Sequence, residues 1–85
     1  MRYQVSVSRD VAKTFRRIHP QDAKRLKVAI EALADDPRPP GSIQLAGGEG
    51  ELRIRVGDYR VIYEIRDREL IVLVLRVGHR RQVYR

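Results

Sequence analysis

The sequence predicts an α+β domain of order β-α-α-β-β-β, a helical hairpin packed on one face of a small, antiparallel-dominated sheet, with residues 1–85 forming a single domain. Three observations carry this prediction. Apolar residues recur at helical spacing between Val11 and Leu33, and from Leu52 onward they recur at every second position. The change of period falls on residues 37–50, which hold all but one of the four prolines and four of the six glycines. Two amphipathic helices followed by alternating strands must bury their apolar sides against one another.

Each element follows from local chemistry. Residues 3–7 alternate and read as a short strand. Ser8 is a good N-cap, and Val11, Ala12, Phe15 and Ile18 then share a helical face. His19-Pro20 ends that helix; Pro20 suits the first turn of a second, with Asp22 near its positive end. Ala23, Leu26, Ile30 and Leu33 form its apolar stripe, widened by Ala29, and Asp35-Asp36-Pro37 stops it. Residues 37–50 read as one long loop, with Ile43 and Leu45 available to pin it to the core. Its glycines do not form a P-loop, because no Lys-Ser/Thr follows and no helix opens after them.

Leu52, Ile54 and Val56 alternate with Glu51, Arg53 and Arg55, and Gly57-Asp58 is a two-residue hairpin signal. Tyr59, Val61, Tyr63 and Ile65 alternate with Arg60, Ile62, Glu64 and Arg66, and Asp67-Arg68 reads as a second turn. The last strand, residues 70–77, is apolar on both sides and therefore expected to be central.

Composition bounds the function. The 85 residues carry 18 Lys+Arg against 11 Asp+Glu, a net charge of +7, and 15 of the 18 cations are Arg. Such an excess points to a polyanion, most often nucleic acid, and Arg presents a planar fork of donors suited to phosphate. A GC-rich genome also inflates Arg. No Cys is present, which removes disulfides, thiolate nucleophiles and Cys-based zinc sites. No apolar run approaches the ~20 residues of a membrane helix, and no signal-peptide pattern opens the chain, so a cytoplasmic protein with no membrane partner is expected. At this length the core is thin, burying only about 60–65% of the unfolded surface.

The first hairpin can be read to register. With Gly57-Asp58 as the loop, Val56 opposes Tyr59, Arg55 opposes Arg60, Ile54 opposes Val61 and Arg53 opposes Ile62. Arg53, Arg55 and Arg60 then converge on the face away from the helices. Opposed like charges cost a hairpin up to about 1 kcal/mol. Either this face binds an anion, or the arginines splay into solvent with Glu51 and Glu64 nearby to neutralise them. Through Asp67-Arg68, Arg60 would pair with Leu75 and Ile62 with Leu73, placing an apolar patch of Ile62, Ile71, Leu73 and Leu75 beside the cations. A partner, the first strand or the loop of residues 37–50 could cover it. Gly78 allows a turn bringing His79, Arg80 and Tyr84 back to the cluster, where Tyr84 is a platform for a base; a solvated basic tail is the alternative.

Residues 45–65, with Gly57-Asp58-Tyr59-Arg60-Val61-Ile62-Tyr63 at their centre, and the ending Val77-Gly78-His79-Arg80-Arg81-Gln82-Val83-Tyr84 resemble the RelE/ParE superfamily of bacterial type II toxin–antitoxin toxins. The resemblance spans essentially the whole chain. It implies the fold shared with microbial ribonucleases and, in the RelE branch, a metal-independent mRNA interferase. Such an enzyme acts in the ribosomal A site, needs no cofactor, and is inhibited by a cognate antitoxin covering its sheet face. Carried over by motif, the functional residues are Arg53, Arg55, Arg60, Arg80 and Tyr84, with Arg81 as a further RNA contact. The best-known relatives have Lys at the basic pair, and one of those lysines serves as general base. Here both positions are Arg, which does not accept a proton, so His79 becomes the candidate base. A ParE-like gyrase inhibitor without ribonuclease activity, and a catalytically weak RNA- or partner-binding member, are the competing readings.

Overall fold

Ser8 joins three elements. Its Oγ accepts the Val11 N–H at 3.2 Å, capping the first helix, and donates to the Leu75 carbonyl at 3.3 Å. The computed structural model describes residues 2–45 and 50–79. They form β1 (Gln4–Val7), α1 (Arg9–Phe15), α2 (Pro20–Ala32), β2 (Ile43–Gln44), β3 (Glu51–Val56), β4 (Tyr59–Arg66) and β5 (Ile71–His79). The architecture is the expected α+β one, two helices on a five-stranded mixed sheet of order β1-β5-β4-β3-β2. β1 runs parallel to β5 and every other pairing is antiparallel.

His19 does more than precede a proline: its Nδ1 accepts the Gln21 N–H at 3.2 Å, making it the N-cap of α2, with Pro20 at the helix start. Val11, Ile18, Leu26, Ile30 and Leu33 are buried against Ile54, Val61, Tyr63, Val72, Val74 and Val77 of the sheet. Leu26, Val61, Tyr63, Val72 and Val74 are fully inaccessible, each burial contributing roughly 1.5–3 kcal/mol. The Tyr63 hydroxyl, held neutral by that burial, donates to the Pro37 carbonyl at 2.7 Å and ties the loop after α2 to the sheet. Ala12 is exposed, so α1 contributes a narrower stripe than its spacing suggests.

The tight hairpin at Gly57-Asp58 has the predicted register throughout, and Gly57 supplies the positive φ (60°) that such a turn requires. As expected from its two apolar sides, β5 is an inner strand.

Three expectations need correction. The stretch 37–50 is not all loop: Ile43 and Gln44 pair with Arg53 and Leu52 as an edge strand, and Ile43 is exposed rather than pinned to the core. The second turn spans four residues, closed by Leu70 in the left-handed region (φ 55°). Consequently Arg66 pairs with Ile71 and Glu64 with Leu73. The pairing then slips again between Ile62 and Tyr63, where Leu75 is an extra residue in β5, a β-bulge. Beyond it Ile62 opposes Arg76 and Arg60 opposes Gly78, instead of Leu73 and Leu75.

One polar clamp closes the β1 end of the molecule. Asp67 accepts from the Tyr3 hydroxyl at 2.6 Å and from Arg38 at 3.1 and 3.4 Å. These donors, Arg38 first, hold its carboxyl below the usual aspartate range.

Candidate nucleic-acid interface

Strand alternation sorts β3, β4 and β5 into two faces. Leu52, Ile54, Val56, Tyr59, Val61 and Tyr63 pack toward the helices, all buried or half-buried. The residues between them form the face that neither helix covers. On it, Arg55 and Arg60 are directly opposed, and in the next row Arg53, Ile62 and Arg76 follow one another across three strands. The row after that holds Glu51, Glu64 and Leu73. Directly opposed positions place Cβ atoms about 5 Å apart, so the side chains within each row are neighbours.

The cations differ in how they are held. Arg53 and Arg60 are half-buried, with their Nε atoms withdrawn from solvent, while Arg55 and Arg76 are exposed. Ile62 is only 5% exposed although it lies on this face. Its row neighbours Arg53 and Arg76 have aliphatic stems long enough to cover it while their charged heads reach outward. An apolar floor beneath guanidinium groups lowers the local dielectric and strengthens their attraction for an anion.

The structure thus brings together three of the expected site residues, Arg53, Arg55 and Arg60. It adds a fourth, Arg76, which the sequence reading missed. The bulge at Leu75 is responsible, because one extra residue moves Arg76 onto this face and takes Leu75 off its expected place. Leu75 lines a cleft beside α1 with Val11 and Ile18, and Arg76 lines the same cleft. The expected apolar patch is therefore reduced to Ile62, Ile71 and Leu73. β1 runs alongside it, with Gln4 and Ser6 opposite Ile71 and Leu73. The signal for Arg76 was a lone charge closing an otherwise apolar strand.

His79 does not join the cluster. Gly78 lies within β5 rather than in a turn, so the strand continues and places His79 opposite Tyr59. The two rings meet edge to face at 5.6 Å on the helix side of the sheet. His79 lines clefts there with Asp10, Thr14 and Arg17 on one side and Asp22 and Arg25 on the other. Strand alternation is the physical reason for this correction: Val77 is buried on the helix side, and His79, two residues on, shares its face. Arg80, Arg81 and Tyr84 lie outside the described residues. Among the described residues no group of three or more His, Asp or Glu is placed to hold a metal ion, and no helix is long and apolar enough to cross a membrane.

Comparison with known proteins agrees with this architecture. Residues 1–84 match the model of the family described as ParE toxin of type II toxin-antitoxin system, parDE. A protein named as toxin RelE1 from Methanocaldococcus jannaschii is 26% identical over 88 residues, covering all of this chain and 98% of the relative. A RelE-like toxin protein from Escherichia coli is 28% identical over 82 residues, covering 94% of this chain and 85% of the relative. Among solved structures, the archaeal RelE-RelB complex from Pyrococcus horikoshii OT3 contains a chain that superposes with a TM-score of 0.84 at 26% identity. The match covers 98% of this chain and 100% of that one.

Proposed function

The chain belongs to the ParE toxin family of type II toxin–antitoxin systems, and from that premise we propose that it is an endoribonuclease that cleaves mRNA on the ribosome through the open, arginine-bearing face of its sheet. The observation that carries this reading is the direct opposition of Arg55 and Arg60, with Arg53 and Arg76 in the adjoining row. Directly opposed cations weaken a small fold, and an anion bound between them offsets that repulsion.

In this reading Arg55 and Arg76 dock the phosphodiester backbone, whereas Arg53 and Arg60, held half-buried, face the scissile phosphate. The RNA supplies its own nucleophile. As the 2′-oxygen attacks phosphorus and the 5′-oxygen departs, charge builds on the phosphorane oxygens, and fixed guanidinium donors stabilise that charge more than they stabilise the ground state. No cofactor enters the scheme. Arg80, Arg81 and Tyr84 remain assigned by motif as an acid, an RNA contact and a stacking platform. The partner that silences the toxin is a cognate antitoxin, a reading supported by the archaeal relative's structure being a RelE-RelB complex; laid over the same face, it would exclude RNA.

A second reading is favoured by the family model itself, which is that of a ParE toxin: inhibition of DNA gyrase without RNA cleavage. One experiment separates the two. The chain is expressed from an inducible promoter, mRNA 5′ ends are mapped, and gyrase supercoiling is assayed, for the wild type and for Arg60→Ala. Codon-phased cuts that vanish in Arg60→Ala support the ribonuclease. Growth arrest with intact mRNA and inhibited supercoiling overturns it in favour of gyrase.

A further inference from the structure

Transfer of the 2′-hydroxyl proton needs an acceptor on the reactive face. Guanidinium groups cannot serve, and His79, the one described imidazole in the C-terminal strand, lies on the opposite face against Tyr59. Two carboxylates do lie on the reactive face. Glu51 and Glu64 are directly opposed across β3 and β4, in the row next to Arg53 and Ile62.

The two acids are not equivalent. Glu64 is engaged by its own strand, since the Arg66 Nε donates to its Oε2 at 2.8 Å. Glu51 makes no hydrogen bond or ion pair through its carboxylate to another described residue, yet its backbone is pinned on both sides. Its carbonyl accepts the Leu45 N–H at 2.9 Å and its other edge is registered on Glu64. Its side chain is half-buried and follows the alternation that also directs Arg53 and Arg55. The charged groups facing it are Arg53 two residues along its strand, Glu64 opposite and Arg66 diagonally across.

We propose that Glu51 is the proton acceptor for RNA cleavage, an assignment that rests on the ribonuclease reading above. The 2′-hydroxyl gives its proton to the Glu51 carboxylate while the bond from O2′ to phosphorus forms. The bond from phosphorus to O5′ then breaks, the departing oxygen takes the proton of the acid assigned above by motif, which regains one from solvent, and the products are a 2′,3′-cyclic phosphate and a 5′-hydroxyl. Glu51 returns its proton to solvent. Arg53, next on the strand, keeps the phosphate within reach of the carboxylate. Glu64 is committed to Arg66 and takes no part in the proton transfer. Glu51, Arg53 and Arg55 on β3, with Arg60 opposite Arg55, thus place an acceptor and its anion-binding partners along one ribbon.

The test is single-turnover cleavage of ribosome-bound mRNA by the purified chain at fixed neutral pH, for the wild type, Glu51→Gln, Glu51→Asp and Glu64→Gln. Thermal unfolding of each variant confirms that it is folded. Glu51→Gln loses about 10²–10⁴-fold in rate. Glu51→Asp, which keeps a carboxylate, recovers part of that loss, so the assignment stays testable even where the amide variant folds poorly. Glu64→Gln stays within a few-fold of wild type. An unchanged rate in Glu51→Gln overturns the proposal, and so does a loss in Glu64→Gln as large as that in Glu51→Gln. A wild type that cuts no RNA overturns the ribonuclease reading itself, a result recognisable because every variant is then equally silent.

Discussion

On the helix side of β3, β4 and β5, alternate residues are Leu, Ile, Val and Tyr, closed over by Val11, Leu26 and Ile30. On the other side, the residues in between are Arg53, Arg55, Arg60 and Arg76 with Glu51 and Glu64. The two faces share a backbone and have opposite effects on stability. The covered face removes apolar surface from water and supplies the driving force for folding. The open face sets like charges against one another twice, Arg55 against Arg60 and Glu51 against Glu64, and each such pair weakens the hairpin. A fold this small can carry that burden only because the covered face is fully packed. The contrast teaches that the open face is shaped by what it contacts rather than by what holds the chain together.

Perturbing each face in turn sharpens this contrast. The largest effect belongs to the covered face: Leu26→Ala, at a site with no solvent exposure, removes about 2–5 kcal/mol of stability in chemical denaturation. Activity per folded molecule stays unchanged, because the open face is untouched. Tyr63→Phe comes next. It leaves the buried Pro37 carbonyl without the donor it has at 2.7 Å and costs about 1–2 kcal/mol by the same measurement.

The open face responds in the reverse sense. Arg55→Glu converts an opposed like-charge pair into an opposite-charge one and raises stability by a few tenths to about 1 kcal/mol. The same change weakens binding to a short RNA and flattens its dependence on salt. A variant that is both less stable and tighter-binding would break the comparison.

The smallest effect lies at the clamp away from both faces. The Asp67 carboxyl is held below its ordinary range, chiefly by Arg38 and then by Tyr3. Its contribution to stability is therefore present above the unfolded-state value and lost as pH falls through the depressed folded value. Asp67→Asn lowers stability slightly at neutral pH, and its deficit relative to wild type shrinks as pH falls below about 4, as circular dichroism across a pH series will show.

Much of this is legible in the sequence alone. Gly57-Asp58 specifies a two-residue turn through the φ that Gly57 alone tolerates, and register follows from turn length, so Arg55 opposite Arg60 could be read directly. The neighbouring hairpin offered no such signal. Its turn closes on Leu70 in a left-handed conformation that a leucine rarely adopts. β5 is apolar on both sides, so no alternation reveals that Leu75 is an extra residue, and Arg76 and His79 were misplaced as a result. The two-residue β2 exists only through its pairing with β3, an interaction between distant segments that local propensity does not encode. The candidate site was thus visible where a turn dictated register and hidden where tertiary packing did.

The most direct test of the open face as the working face compares two variants with the same loss of charge. One carries Arg53→Ala, Arg55→Ala and Arg60→Ala on the open face, and the other Lys13→Ala, Lys24→Ala and Lys27→Ala on the exposed surface of the helices. Cleavage of ribosome-bound mRNA is measured for both at fixed ionic strength. The open-face variant is expected to lose at least about 10²-fold in rate while the helix-surface variant stays within a few-fold of wild type. Equal losses in the two, or undiminished cleavage by the open-face variant, would contradict the account.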